Sequence, residues 1–136
     1  MRFLTAFPLL GLVVVLFNLA AIAGAREDNQ IFSATMPSSG IFTLTVGGLF
    51  IILGLGGLFF EMMKAARVRA GTVLDHMLST AVFIVALIEF LLVPYCAAES
   101  FFILMCMSLA DVVAGFTISI FSARRDLSLG SSEGGI

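Results

Sequence analysis

The sequence predicts an all-α membrane protein in which four transmembrane helices form an antiparallel bundle. Of its 136 residues 60% are apolar and only 12% are charged, and the charges fall in short groups between long apolar stretches. Each stretch is about twenty residues long, which matches the roughly 30 Å hydrocarbon core of a bilayer. At this length, only helices satisfy every backbone polar group in hydrocarbon. We place the four spans at about 4–24, 40–60, 73–93 and 101–121.

The first span, 4–24, allows two interpretations. Its end, Ala23-Gly24-Ala25, lies directly before Arg26 and resembles the small-residue cleavage site of a secretory signal. Its apolar region is close to twenty residues long, however, whereas that of a signal usually has about 7 to 15. A retained helix is therefore favoured, and a cleaved signal over residues 1–25 stays open. The other three helices keep the same orientation in either case.

Glycines at heptad spacing mark the second span. Gly40, Gly47 and Gly54 recur every seven residues, and small residues at that spacing let two membrane helices approach in close van der Waals contact. We expect this face to pack against the first helix, in preference to a homodimer seam. Gly115 supplies a further helix-packing position in the fourth span.

The third and fourth spans each carry a stripe of small or polar residues at helical spacing. The stripes are Asp75, Ser79, Val82, Ala86 and Glu89 in the third span, and Ser108, Asp111, Gly115, Ser119 and Ser122 in the fourth. The opposite faces are rich in Phe, Ile, Leu and Val, so we expect the two stripes to meet inside the bundle. Gly71 and a capping box of Thr72 with Asp75 indicate where the third helix begins. Residues 126–136 are expected to form a flexible cytoplasmic tail.

The basic residues predict the orientation. Six of the seven fall on one side of the four-span layout, and Arg26 alone falls on the other. The positive-inside rule then places both termini in the cytoplasm. Five of the six are expected to form a cytoplasmic basic ring: Lys64, Arg67, Arg69, Arg124 and Arg125. Anchoring to anionic headgroups is the favoured role of this ring, and docking of an acidic soluble partner is the alternative.

Asp111 is the most informative polar residue, because it lies at the centre of the run 101–121. A carboxylate at mid-membrane costs about 2.5 to 3.5 kcal/mol on insertion scales, so a partner or a function must offset it. We group it with Glu89, Ser108 and Asn18 as an intramembrane site for a polar group, an ion or a partner. Glu89 lies close enough to its helix end to reach water by snorkelling.

Three interpretations of Asp111 stay open. It can be protonated and hydrogen-bonded to Ser108, Asn18 or Thr45, it can pair with a cation from another subunit, or it can carry a proton or cation through a transport cycle. No Lys or Arg lies inside the predicted spans. The titratable and amide groups fall mostly in the outer half, so we expect a vestibule that opens outward and ends at Asp111.

Several function classes lack support in the sequence. There is no nucleophile beside a base and no phosphate-binding loop, so we expect no enzymatic activity. His76 has no second histidine, and Cys96 and Cys106 form no CxxC motif, so we expect no metal site and no cofactor. A net charge of −2 without a basic domain gives no indication of nucleic-acid binding.

Five short segments carry a resemblance. They are Phe59-Phe60-Glu61, Leu74-Asp75-His76, Ile88-Glu89-Phe90, Asp111-Val112-Val113-Ala114-Gly115 and Ala123-Arg124-Arg125-Asp126. The C-terminal two-thirds of the chain resembles small uncharacterised four-helix proteins of the bacterial inner membrane. That resemblance implies a location in a bacterial inner membrane and implies no activity.

The function we expect is that of an accessory, assembly or scaffold subunit of a larger membrane complex. The missing counter-ion of Asp111 and the one-sided distribution of polar residues motivate this hypothesis. Its partners would be the lipid bilayer and either another membrane protein or a second copy of this chain. The alternative is a small oligomeric transporter or channel that is coupled to protons or cations through Asp111.

Overall fold

A computed structural model of the chain describes residues 7–67 and 73–130. The structure is 75% helical and has four helices in its described part, together with a two-stranded antiparallel sheet. In chain order the elements are α1 (Leu9–Ile22), β1 (Gln30–Thr35), β2 (Ile41–Thr45), α2 (Val46–Arg67), α3 (Val73–Leu92), a 3-10 turn (Pro94–Cys96) and α4 (Glu99–Gly130).

Three of these helices are long and apolar enough to cross a membrane, which suggests a membrane protein. The apolar segments run over Val46–Ala66, Leu74–Leu92 and Glu99–Arg125. Over the described residues α1 is shorter, with 14 residues, or about 21 Å at 1.5 Å of rise per residue.

Local sequence explains where the helices begin and end. Helix α1 ends in a Schellman motif, in which the Gly24 and Ala25 N–H groups donate to the carbonyls of Ala21 and Ala20. Gly24 has a φ of 91° there, a conformation that glycine adopts at low cost. Thr45 caps α2 by accepting a hydrogen bond from the Gly48 N–H at 3.2 Å.

Predicted boundaries of the second and fourth helices are wrong. The second span begins at Val46 instead of Gly40, because residues 41–45 form a strand, and its helix continues to Arg67. Gly40 itself lies in the turn between the strands and belongs to no helix. Helix α4 continues to Gly130, so the first part of the predicted tail is helical. The predicted signals at Gly71 and Thr72 lie outside the described residues.

The core lies where α1, α2 and α4 meet, and aromatic side chains fill it. Phe17 of α1 contacts Phe50 of α2 and Phe101 of α4, with ring centroids 5.2 and 5.1 Å apart. Helix α4 packs extensively against both α2 and α3, whereas α1 packs mainly against α2 and contacts α3 little. The buried apolar cluster comprises Val13, Val14, Phe17, Phe50, Ala86, Cys96, Phe101, Leu104 and Met105.

The glycines of α2 pack against a different helix from the predicted one. A Cβ on Gly47 would lie 3.1 Å from the Ser100 side chain, and one on Gly54 would overlap the Leu104 side chain. Both neighbours belong to α4. The predicted packing of this glycine face against the first helix is therefore wrong for Gly47 and Gly54, although Gly57 does contact α1 at Leu9 and Leu10.

The two strands form a hairpin with one apolar face. Opposed pairs alternate in character, since Phe32 faces Leu44 and Ala34 faces Phe42, whereas Ser33 faces Thr43. Partners in a ladder project to the same side of a sheet and successive pairs to opposite sides. The apolar face of the hairpin therefore consists of Phe32, Ala34, Phe42 and Leu44.

The base of the hairpin is fixed to the helices. The Val46 and Gly47 N–H groups donate to the carbonyls of Asn29 and Glu27, both at 2.9 Å. The Glu27 carboxylate in turn accepts hydrogen bonds from the Ser100 hydroxyl at 2.8 Å and the Ser100 N–H at 3.3 Å. A carboxylate is favourable at this position, in the first turn of α4. The hairpin therefore has a defined position on the bundle.

Candidate functional site

Asp111 lies in a polar cluster inside the bundle. The cluster, called here the Asp111 cluster, consists of Glu61, Lys64, Asp75, His76, Ser79 and Asp111, which line a cavity of about 30 Å³. That volume accommodates about two water molecules, since one needs roughly 10 to 15 Å³. Helix α2 supplies the first two residues, α3 the next three and α4 Asp111.

Hydrogen bonds and close packing fix the α3 and α4 sides of this cluster. The Ser79 hydroxyl bonds to the Asp111 carboxyl, and the Lys64 ammonium and the His76 ring lie close enough to act on it electrostatically. His76 Nε2 lies 2.6 Å from the Ser119 hydroxyl. A Cβ on Gly115 would lie 2.6 Å from His76 Nδ1, so only glycine leaves room for this ring. The two polar stripes of the sequence do meet here.

Glu61 connects the cluster to α1. It is 8% exposed, and its Oε1 accepts a hydrogen bond from the Leu9 N–H. Leu9 is the first residue of α1, and its N-cap, Pro8, makes no side-chain capping bond. A carboxylate from α2 therefore satisfies a free N–H at the start of α1, where the helix dipole also favours negative charge.

These contacts correct two expectations about Asp111. Its hydrogen-bond partner is Ser79, whereas Ser108 donates to the Met105 carbonyl of its own helix at 2.7 Å. Its neighbours lie beside the C-terminal end of α2 and the N-terminal end of α3, the end that the charge distribution assigns to the cytoplasm. A vestibule from the outer side to Asp111 is therefore not supported. The longer α2 also brings Lys64 into an apolar segment, which the predicted boundary had excluded.

Asn18 and Glu89 come together at the opposite end of the bundle. The Asn18 amide donates to Glu89 Oε2 and to the Val14 carbonyl, both at 3.0 Å. Its Oδ1 accepts hydrogen bonds from the Tyr95 hydroxyl at 3.0 Å and from the Cys96 thiol at 3.7 Å. All four bonds that a primary amide can make are therefore formed. We call Asn18, Glu89, Tyr95 and Cys96 the Asn18 network.

Burial sets the chemistry of Cys96. Its side chain is fully buried, and desolvation, followed by the nearby Glu89 charge, raises the pKa of the thiol from 9.0 to about 11. A thiol of this kind is unreactive at neutral pH, because only the thiolate is a nucleophile. Cys106 is exposed on α4, and both cysteines are free.

The two polar sites share no residue. The Asp111 cluster and the Asn18 network are supplied by different parts of the helices. The buried core includes Phe17, Phe50, Phe101 and Leu104, each at most 7% exposed. The structure therefore has two distinct polar sites: Asp111 lies in one, Asn18 and Glu89 lie in the other, and Ser108 lies in neither.

The residues of the predicted basic ring lie in different parts of the structure. Lys64 belongs to the Asp111 cluster, and Arg124 and Arg125 are exposed on the last turns of α4. The side chain of Arg67 and the whole of Arg69 lie outside the described part of the structure.

Sequence reasoning missed Glu61, which it assigned to a connecting segment. The residues Glu61-Met62-Met63-Lys64-Ala65-Ala66-Arg67 are strong helix formers, and this signal could have extended the second helix across them. It also missed the hairpin. The turn residues Pro37-Ser38-Ser39-Gly40 before alternating Thr residues were the available signal.

Comparisons with protein family models, curated proteins and solved structures found no match to this chain. Within the described residues, no three His, Cys, Asp or Glu side chains are arranged to hold a metal ion. The fold therefore identifies only a broad class of protein, a helical protein with three helices long and apolar enough to cross a membrane.

Proposed function

We propose that this chain is an accessory, assembly or scaffold subunit that binds another membrane protein through the apolar face of its hairpin. The proposal includes no catalytic activity. One observation carries it: on a sheet with a fixed base, both phenylalanines of the apolar face are largely uncovered by the described residues. Phe32 is 55% exposed and Phe42 is 46% exposed.

The physical argument starts from the marginal stability of small sheets. A two-stranded hairpin alone is at best marginally stable in water, and it gains stability when a face packs against another element. Here the bundle holds only the base of the hairpin, through Glu27 and Asn29. The outer pairs, including Ala34 with Phe42, are held by the strands themselves. Large exposed apolar side chains at a defined position are typical of a protein interface.

The filled core also supports a binding role. The cavity at the Asp111 cluster is lined by no residue of the Asn18 network, and buried apolar side chains, among them Phe50 and Leu104, fill the core. An ion or proton route needs polar or titratable groups at intervals along its length. A subunit that binds a partner has no such requirement.

The proposal includes a location and an orientation. We place the protein in a bacterial inner membrane with its four helices spanning it and both termini in the cytoplasm. The distribution of basic residues supports this orientation, and the resemblance to small bacterial proteins supports the membrane. The hairpin then lies on the outer side, together with Arg26 and Asp28, which form a salt bridge at 3.4 Å.

Affinity purification from native membranes in mild detergent, followed by native mass spectrometry, tests the binding role. We expect a stoichiometric complex for the wild type and its loss for the double variant Phe32→Ser with Phe42→Ser. The matched control is Ile41→Ser, since Ile41 is 74% exposed but opposes Thr35 on the other face. A lone monomer for the wild type, or equal loss in the control, would contradict the proposal.

The Asp111 cluster favours a second candidate function, a small transporter coupled to protons or cations. Asp111 and Glu61 are 9% and 8% exposed and share a water-sized cavity with Lys64, Asp75 and His76. Grouped titratable side chains of this kind recur in proton relays. In this candidate a polar path from the Asp111 cluster to the other end of the bundle would have to form during the cycle.

Flux measurements in proteoliposomes test this second candidate. Asp111→Asn keeps the size of the side chain and a hydrogen bond to Ser79, and it removes the titratable group. We expect it to abolish proton- or cation-driven flux if Asp111 is the carrier. Glu89→Gln, in the other polar site, is the matched control and should keep flux. Wild-type flux in Asp111→Asn would eliminate this role.

A further inference from the structure

A groove runs along the bundle between α1 and α3. It has a volume of about 370 Å³, and its lining is apolar except at one end, where Asn18 and Glu89 lie. The other end lies at Phe7, Pro8 and Leu78. The groove is distinct from the hairpin face and from the Asp111 cluster, and neither proposed function uses it.

The dimensions of the groove match one leaflet of a bilayer. From Leu78 to Glu89 is eleven residues of α3, or about 16 Å at 1.5 Å per residue. Half of a hydrocarbon core of about 30 Å is about 15 Å. The polar end lies one turn from the C-terminal end of α3 at Leu92, where headgroups begin. The groove therefore has one polar end at the membrane interface and an apolar length equal to one leaflet, which matches the shape of a lipid.

The groove is too small to enclose a helix. A helix about 10 Å in diameter and 16 Å long fills roughly 1,250 Å³, more than the total space of about 860 Å³ in and above the groove. A single hydrocarbon chain is much thinner than a helix. The groove therefore fits one lipid chain better than a helix of a partner protein.

The polar end selects the headgroup by charge. Asn18 has used all its hydrogen-bonding capacity within the Asn18 network, so it has none left for a ligand. Glu89 accepts one described bond, from Asn18, whereas a carboxylate can accept about four. The described lining of the groove contains no Lys or Arg that could pair with it. An ammonium group would supply both the charge and the missing donors.

We propose that this groove binds one acyl chain of a phospholipid with a primary ammonium headgroup, and that Glu89 pairs with the ammonium. The inference depends on the membrane-spanning arrangement and is independent of the partner at the hairpin. Chain contacts come from Val14 and Val15 of α1 and from Val82 and Val85 of α3.

Native mass spectrometry of the full chain, released from liposomes, tests the proposal. The liposomes contain equal parts of phosphatidylethanolamine, phosphatidylcholine and phosphatidylglycerol with identical acyl chains. We expect one retained lipid that is phosphatidylethanolamine about tenfold more often than either competitor. Tenfold corresponds to about 1.4 kcal/mol, close to the lower end for a hydrogen bond to a charged group.

Three variants distinguish recognition of the lipid headgroup from binding of the acyl chain. Glu89→Gln keeps an acceptor for Asn18 and loses the charge, and we expect retained lipid to follow the bulk composition. Val85→Phe fills the groove and should lower retention of every lipid. Ile84→Phe is its matched control, because Ile84 is 49% exposed on the same helix but does not line the groove. Far-ultraviolet circular dichroism confirms that each variant folds.

The proposal is overturned if lipids retained by the wild type match the bulk composition, or if Glu89→Gln keeps the preference. Equal lipid retention by Val85→Phe and Ile84→Phe would also overturn it, because the acyl chain would then lie elsewhere. Selective retention of phosphatidylglycerol would overturn it as well, because a basic group, and not Glu89, would then bind the headgroup.

Discussion

The close approach of α2 and α4 at Gly54 gives the sharpest test of the packing. A Cβ at this position would overlap the Leu104 side chain and lie 3.0 Å from the Met107 sulfur. Leu104 is fully buried, so it cannot turn away without displacing its neighbours. Gly54→Ala should therefore push the two helices apart and lower the free energy of unfolding.

Gly56 is the matched control on the same helix, because a Cβ there meets nothing within 4 Å. Both substitutions gain the same helix propensity, about 0.5 to 1 kcal/mol, and this gain cancels when the variants are compared. What remains is the overpacking at Gly54, about 1 to 3 kcal/mol. We expect Gly54→Ala to be less stable than Gly56→Ala by that difference.

Titration of the folded protein with sodium dodecyl sulfate in mixed micelles, followed by circular dichroism, measures both free energies. A Leu104→Ala substitution in the Gly54→Ala background should cost less than the same change in the wild type, because it relieves the overlap. Coupling of about 0.5 to 3 kcal/mol is usual for residues in contact. Equal stabilities of the two glycine variants, or no coupling to Leu104, would refute this packing.

Three further predictions follow from the sites. Asp111→Asn should keep most of the free energy of unfolding, because the amide still bonds to Ser79. Asp111→Leu should lose about 1 to 2 kcal/mol in the same titration. A Leu variant more stable than the wild type would show that Asp111 is retained for a reason other than stability. Since burial raises the pKa of Cys96 from 9.0 to about 11, its alkylation at pH 8 should be roughly a hundredfold slower than in the unfolded chain and should rise about tenfold per pH unit up to pH 10. The neutral thiol favours the folded state, so its contribution to stability is present below pH 9 and lost as the pH rises through about 11. The alkylation rate of Cys96 is obtained by comparison with the Cys96→Ala variant. An alkylation rate that levels off near pH 9 would contradict the raised pKa. Intact mass measurement should find residues 1–25 in the membrane-bound protein, because α1 supplies Phe17 to the core; a mature chain that begins at Arg26 would overturn the packing of α1.

The sequence predicted the helices well wherever hydropathy alone decides the structure. The predicted span 73–93 differs by one residue from α3, Val73–Leu92, and the span 101–121 lies inside α4. It failed at residues 40–45, where Phe42 and Leu44 alternate with Thr43 and Thr45. Hydropathy averages this alternation into an apolar run, whereas the period of two belongs to a strand.

The Asp111 site was only partly predictable. Helical spacing placed Ser79 and Asp111 on facing stripes, because periodicity defines the faces of single helices. It could not fix the register between α3 and α4, on which the contact of Ser79 with Asp111 depends. Glu61 was missed because its role depends on the start of α1 at Leu9, 52 residues away.

Photo-crosslinking from the hairpin in native membranes tests the central claim, that its apolar face binds a partner protein. A photoreactive side chain replaces Phe42 in one variant and Ile41 in the other, so that adjacent residues probe opposite faces of one strand. We predict that position 42 gives one discrete protein adduct and that position 41 gives much less of it. Lipid adducts alone, or equal protein adducts from both positions, would contradict the account.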